Sequence, residues 1–314
     1  MKKIVFTLLL TLFAVVIRAQ ESQTEYNFLR LPVSAHAAAL GGENITIIED
    51  DPSLMFSNPA LASSVSDKTV GLSYMNYMRG AHYMGASYTK ALGEKATLVG
   101  GVQYMNYGKM KEVDANNVQT GTFNASEIAV EGIFSYELAR NLVGGITAKF
   151  ITSYIGSYNS MAVGVDLGLN WYEPERQWSV SLVAKNLGGQ IKAYEEEYGK
   201  MPIDVQVGVS KTFAALPVRV SATLVNLTHY DYRFINHLNL GAEVLLSESI
   251  WVGGGYNFRK ADEMTIGKDE NASAHGAGFS VGAGINLEQF KLNLAYGKYH
   301  AASNSILVNL AYSF

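Results

Sequence analysis

The sequence predicts an all-β fold: a fourteen-stranded antiparallel transmembrane β-barrel behind a short helical N-terminal segment. Three observations predict it. Hydrophobicity alternates with a period of two from residue 68 to residue 314, the spacing at which successive side chains face opposite sides of a strand. The connections between these segments are alternately short and longer, as expected of a barrel with tight turns at one rim and loops at the other. The chain is also poor in charge: Asp, Glu, Lys and Arg make up 17% of its residues while 48% are apolar, against a charged share of about 25% in soluble domains.

From the N-terminus, Lys2 and Lys3 precede an apolar run from Ile4 to Ile17 that closes on Arg18 and Ala19, the pattern of a secretory signal peptide over residues 1–19. The run is shorter than the roughly 20 residues a membrane-spanning helix needs. Without the segment the chain keeps 21 basic against 28 acidic residues and has no basic stripe, which speaks against nucleic acid as a partner. Absence of Cys excludes disulfides, Cys-ligated metals and thiol nucleophiles.

Residues 20–66 form a second unit with no sustained alternation. Ser34 is placed to cap a helical turn from Ala35 to Leu40 that stops at Gly41 and Gly42. Asp51 and Pro52 open a turn through Phe56, and Asn58 and Pro59 open another, with Pro at the first helical position.

Residues 67–314 form the barrel. Its strands are expected near 69–78, 81–91, 95–106, 122–137, 141–154, 158–172, 177–187, 202–213, 217–227, 236–246, 249–258, 273–286, 289–299 and 304–314. The sixth is the clearest: Met161, Val163, Val165, Leu167, Leu169 and Trp171 share one face, Ala162, Gly164, Asp166, Gly168 and Asn170 the other. An apolar face repeated in every strand, opposite small and polar residues, suits lipid outside and a wet or tightly packed lumen inside better than the single core of a soluble sandwich. Longer connections are expected near 107–121, 188–201, 228–235 and 259–272, with short turns between. Tyr74, Tyr77, Tyr104, Tyr107, Trp171, Trp178 and Trp251 fall near strand ends, where amphipathic rings form interfacial girdles. The last strand alternates through Leu310 and Tyr312 to a terminal Phe314, the pattern of a barrel-assembly signal.

Catalytic and metal chemistry find little support. His82, His229, His237, His275 and His300 lie in or beside outer loops without ligand spacing, so no metal and no cofactor is expected. No Ser, His and Asp or Asn arrangement stands out, and enzymatic activity is not expected. The clusters Glu195, Glu196, Glu197 and Lys268, Asp269, Glu270 sit in outer loops, where solvated charge is the ordinary reading.

The stretch LRLPVSAHAAALGGEN from Leu29 to Asn44, followed by DDPSLMFSNPAL from Asp50 to Leu61 and then by fourteen strands, resembles the PorV/PorQ family of outer-membrane proteins of the type IX secretion system in Bacteroidota. More widely it is similar to the FadL-type barrel, whose hatch carries an Asn-Pro-Ala turn like Asn58, Pro59 and Ala60. The resemblance implies a non-enzymatic protein whose residues 21–66 plug the lumen and whose outer loops hold a PorZ-like protein in a surface attachment complex with PorU, the sortase, and PorV. It implies the cell outer membrane, with both termini periplasmic, and contact with membrane lipid or lipopolysaccharide. Tyr194, Tyr198, Tyr230, Tyr232 and Phe234 are the loop aromatics expected to meet such a partner. The alternative is a FadL-like transporter of hydrophobic small molecules.

Overall fold

The computed structural model describes residues 24–78, 80–213, 216–265, 276–300 and 303–314. The signal segment, Lys268, Asp269, Glu270 and His275 lie outside the described residues. Fourteen strands form one closed antiparallel barrel: β1 Thr69–Met78, β2 Ala81–Leu92, β3 Ala96–Val113, β4 Gln119–Ala139, β5 Leu142–Ile155, β6 Tyr158–Glu173, β7 Trp178–Lys192, β8 Asp204–Phe213, β9 Val218–Leu224, β10 Leu238–Leu245, β11 Ile250–Asn257, β12 Phe279–Asn286, β13 Phe290–His300 and β14 Ser303–Ser313. Each strand pairs with its sequence neighbours, and β1 closes the ring on β14 with Thr69 opposite Ser313 and Asn76 opposite Ile306. Closure pairs the backbone groups between strands and leaves no open edge in the wall, the condition a sheet must meet to cross lipid. Among the described residues no helix is long and apolar enough to cross a membrane.

Polarity is inverted relative to a soluble protein. Leu72, Leu98, Val130, Phe150, Leu167, Leu240, Val252, Leu294 and Ile306 stand exposed on the outer face, while Thr69, Gln103, Glu131, Thr147, Asp166, Gln206, Asn293 and Asn309 are buried facing the lumen. Strand parity decides this: a shift of one residue would exchange the two sets. Parity also corrects the girdle. Tyr74, Trp171 and Trp178 stand exposed on the outer face, but Trp251 is 2% exposed because it shares the inward parity of Gly253 and Gly255. Tyr77 and Tyr107 likewise pack against the interior cluster.

Wall height is uneven. β3 and β4 run 18 and 21 residues, whereas β9 has 7 and β10, β11 and β12 have 8 each. The connection expected at 107–121 is largely strand, and the loop shrinks to residues 114–118. Both faces of this extension meet water, so no apolar alternation marks it. At the short-turn rim, Asn141 and Gln177 take left-handed φ of 66° and 53°, the backbone that a tight strand reversal requires.

Residues 24–66 run inside the barrel. Thr24 bridges to Lys200 in the β7–β8 connection, at the rim of the longer loops. Ser66 and Asp67 sit at the opposite rim, where Asp67 accepts from the Ala91 N–H at 2.8 Å. The segment therefore traverses the lumen lengthwise before entering β1. Thr24, the first described residue, and Phe314 lie at opposite rims.

Candidate functional site

The lumen and its filling form the most elaborate polar arrangement in the molecule. Ser34 caps the helical turn Ala35–Ala39, its side chain accepting from the Ala37 N–H at 3.2 Å. Barrel side chains satisfy the neighbouring backbone. Asn309 accepts from the Ala35 N–H at 2.5 Å and donates to the Val33 carbonyl at 2.8 Å. Ser280 donates to the Ala39 carbonyl at 2.8 Å and accepts from the Gly41 N–H at 3.0 Å. These contacts are what a buried irregular segment needs, because each unpaired backbone group would cost about 1–3 kcal/mol.

The cap places His36, fully buried, against β9–β11. Its Nε2 lies 2.6 Å from Glu243 and its Nδ1 3.3 Å from Glu49. The ring stacks on Trp251 with centroids 3.7 Å apart and planes 6° off parallel. Arg219 closes the circuit, bonding Glu243 through Nε at 2.5 Å and Glu49 through Nη2. Burial by itself would push the His36 imidazole down. The carboxylates of Glu49 and Glu243 override burial and raise it to about 9, so His36 is a cation at neutral pH. Beside this cluster Lys291 meets Asp50 at 2.7 Å, and Asn293 accepts from the Trp251 indole at 3.0 Å while donating to Asp51 at 3.1 Å. Burial raises the Asp51 carboxyl above its ordinary range, and the Ser53 hydroxyl and N–H moderate the rise.

On the far wall the segment is held by shape. Asn58 caps the 3-10 turn Pro59–Ser64, accepting from the Ala60 N–H at 3.0 Å and donating to the Ile45 carbonyl at 3.0 Å. Gly145 on β5 and Gly168 on β6 make room for it. A Cβ on Gly168 would stand 2.1 Å from the Asn58 Oδ1, and one on Gly145 would stand 2.3 Å from the Pro59 carbonyl carbon. Further along, Lys149 pairs with Asp166 at 2.7 Å and donates to Asn186 at 3.0 Å, all inside the wall.

Between segment and wall, a cavity lined by Leu29, Arg30, Glu43, Lys149, Asp204 and Gln206 measures about 30 Å³. That is water-sized space and excludes an acyl chain or an aromatic ring.

At the long-loop rim the expected aromatics divide. Tyr198, Tyr230 and Phe234 are exposed at 65%, 63% and 72%. Tyr194 is partly buried and bonds Ser153, and Tyr232 stacks on His229 at 5.3 Å. Leu310 and Tyr312 face outward on β14, and Phe314, exposed just past its end, lies edge-on to Tyr312 at 4.9 Å. His82 contacts Tyr74, and His300 lies edge-on to Tyr77. No group of three His, Asp or Glu side chains that could hold a metal ion occurs among the described residues. Sequence reading passed over His36, Glu49, Arg219 and Glu243. The available signal was a charge at an inward position, Arg219 within VRVSATL and Glu243 within NLGAEVL, since an inward charge in a barrel strand needs an inward partner.

Fold and lumen together define an outer-membrane β-barrel with an occluded interior. Solved structures share the fold: the toluene transporter TodX of Pseudomonas putida at 11% identity and TM-score 0.53, covering 90% of this chain and 96% of that one; the monoaromatic hydrocarbon channel CymD at 13% and 0.55, covering 90% and 97%; and a Pseudomonas aeruginosa FadL homologue at 11% and 0.50, covering 90% and 98%. No curated protein matches the chain in sequence. The family model of type IX secretion system membrane proteins PorP/SprF matches residues 60–309, and the chain belongs to that family.

Proposed function

We propose that this protein is a non-enzymatic outer-membrane anchor of the type IX secretion system, with a lumen permanently occupied by its own residues 24–66 and an outer rim that docks a surface protein. The observation that carries the reading is the filled lumen: its segment is bonded to both walls, and the cavity beside it holds water at most. Exposed Tyr198, Tyr230 and Phe234 supply apolar anchors at the rim. The finer assignment, a PorQ-like protein that holds a PorZ-like partner alongside PorU and PorV, draws on the LRLPVSAHAAALGGEN motif, all of which precedes the family match. In this reading residues 1–19 are a signal peptide and the short-turn rim, with Phe314, is periplasmic.

The second reading, a transporter of hydrophobic small molecules, is favoured by the fold shared with the hydrocarbon channels. Purifying the tagged chain from native membranes and identifying what co-purifies by mass spectrometry separates the two. A surface protein of the attachment complex is expected. A bound acyl or aromatic molecule without such a protein supports the transporter. Deleting residues 24–66 is expected to open an ion-conducting lumen in planar bilayers, and unchanged conductance would sink the plug.

A further inference from the structure

The β3–β4 ribbon rises past its neighbours. Pairing of β2 with β3 ends at His82 opposite Asn106, and pairing of β4 with β5 ends at Ala125 opposite Ile155. Beyond these points β3 and β4 pair only with each other, through Lys109 with Asn124, Met110 with Phe123, Lys111 with Thr122 and Glu112 with Gly121. The Gly156 N–H donates to the Asn124 carbonyl at 2.9 Å, so Asn124 directs its backbone groups away from β3. By the two-residue alternation of an antiparallel ladder, Thr122 directs its N–H and C=O the same way, into space where β5 has ended.

Such an edge is a template for another strand unless charge, proline or a covering element blunts it. The β3 edge carries Lys109, Lys111 and Glu112, and a Cβ on its Gly108 would meet the Gly80 carbonyl of the β1–β2 turn at 2.5 Å. The β4 edge, Gln119 to Asn124, contains neither charge nor proline. Lys109 and Lys111 share the outward face with Asn124 and Thr122, while Met110 and Phe123 face inward.

We propose that the β4 edge at Gln119–Phe123 is a docking site for an extended segment of a partner protein, which adds as a strand beside Thr122. Backbone bonds to Thr122 supply the attachment. Its outward side chains stand one strand away from Lys109 and Lys111, across Asn124 and Thr122, so long acidic ones match those cations, and its inward ones are apolar beside Phe123. The inference rests on the reading of this rim as a docking surface.

The test uses the full chain in detergent and fluorescent six-residue peptides, acetylated and amidated, measured by anisotropy. A peptide alternating glutamate and valine is expected to bind saturably, and one alternating lysine and valine at least tenfold more weakly. Methylating alternate backbone nitrogens of the glutamate peptide is expected to abolish binding. Thr122→Pro removes an N–H that faces open space, a position where a strand tolerates proline, and should lower affinity tenfold or more with unchanged heat-modifiable migration. Thr122→Val, which keeps the N–H, should bind as the parent does. Equal binding by the methylated peptide, or by Thr122→Pro, overturns the proposal. So does finding that lipopolysaccharide vesicles, and not the peptide, bind through Lys109 and Lys111. If the peptide arms fail while a surface protein still co-purifies, the edge falls and the docking role stands. If the peptide binds but no surface protein co-purifies, the docking role falls alone.

Discussion

The two walls that grip residues 24–66 share a steric fit and differ in charge. The short wall, β9–β13, adds charge to shape: Arg219, Glu243 and Lys291 reach His36, Glu49 and Asp50, while Gly241, Gly255 and Gly282 admit Ala39, Leu40 and Gly41. The tall wall, at β5 and β6, uses absence of side chains, with Gly145 and Gly168 admitting the Asn58–Ala60 turn. A charge clamp fails when one partner is removed and another is left buried and unpaired. A steric fit fails when an atom is added. The short wall is therefore open to both perturbations, the tall wall at Asn58–Ala60 chiefly to the second.

The largest effect is expected from breaking the clamp. Glu243→Ala leaves the His36 imidazolium and the Arg219 guanidinium short of a buried partner and should destabilise the folded barrel by about 3–5 kcal/mol. Guanidinium unfolding in micelles measures it, with proteolysis of residues 24–66 as the local readout. Loss on the scale of an exposed ion pair would show that Glu49 alone neutralises the cluster.

Titrating the clamp comes next. His36 is raised in the folded state to about 9 from its ordinary 6.5, so the protonated form is the one folding favours. Its contribution is complete below pH 6.5, declines between 6.5 and 9, and is gone above 9, on the order of 3 kcal/mol in all. Unfolding free energy measured across that window should fall as pH rises, and His36→Gln should flatten the slope. A slope that survives in His36→Gln places the titration elsewhere.

Filling the steric side should cost less. Gly168→Ala drives a Cβ into Asn58 and Pro59 and should destabilise by about 1–3 kcal/mol, with no change in pH dependence. That lack of pH response is what separates the tall wall from the short one. The smallest effect is expected at the rim, where Arg233 meets Asp262 at 2.7 Å with both side chains largely exposed. Arg233→Ala should change stability by less than about 1 kcal/mol.

How far the sequence carried each part follows from what each part touches. Strand parity was legible wherever one face meets lipid, as in Val163, Leu167 and Leu169 of β6, because lipid enforces an apolar residue at every second position. Parity faded at Tyr107–Gly121, where both faces meet water. It misled at Trp251, because a large ring near a strand end suits a membrane interface as well as it suits a stacked histidine. The caps at Ser34 and Asn58 were legible as local chemistry, bonding within three residues. The pairing within the clamp was not, since His36, Glu49, Arg219 and Glu243 are separated by up to 207 residues.

What the sequence by itself determined is therefore the wall: fourteen strands, their facing and the short irregular segment ahead of them, all set by the local alternation that lipid and lumen impose. Tertiary structure alone decided how that segment threads the barrel from rim to rim, which charges meet across it, and that the space left beside it is water-sized. Those are consequences of ring closure, which brings distant strands to one interior that no local pattern describes.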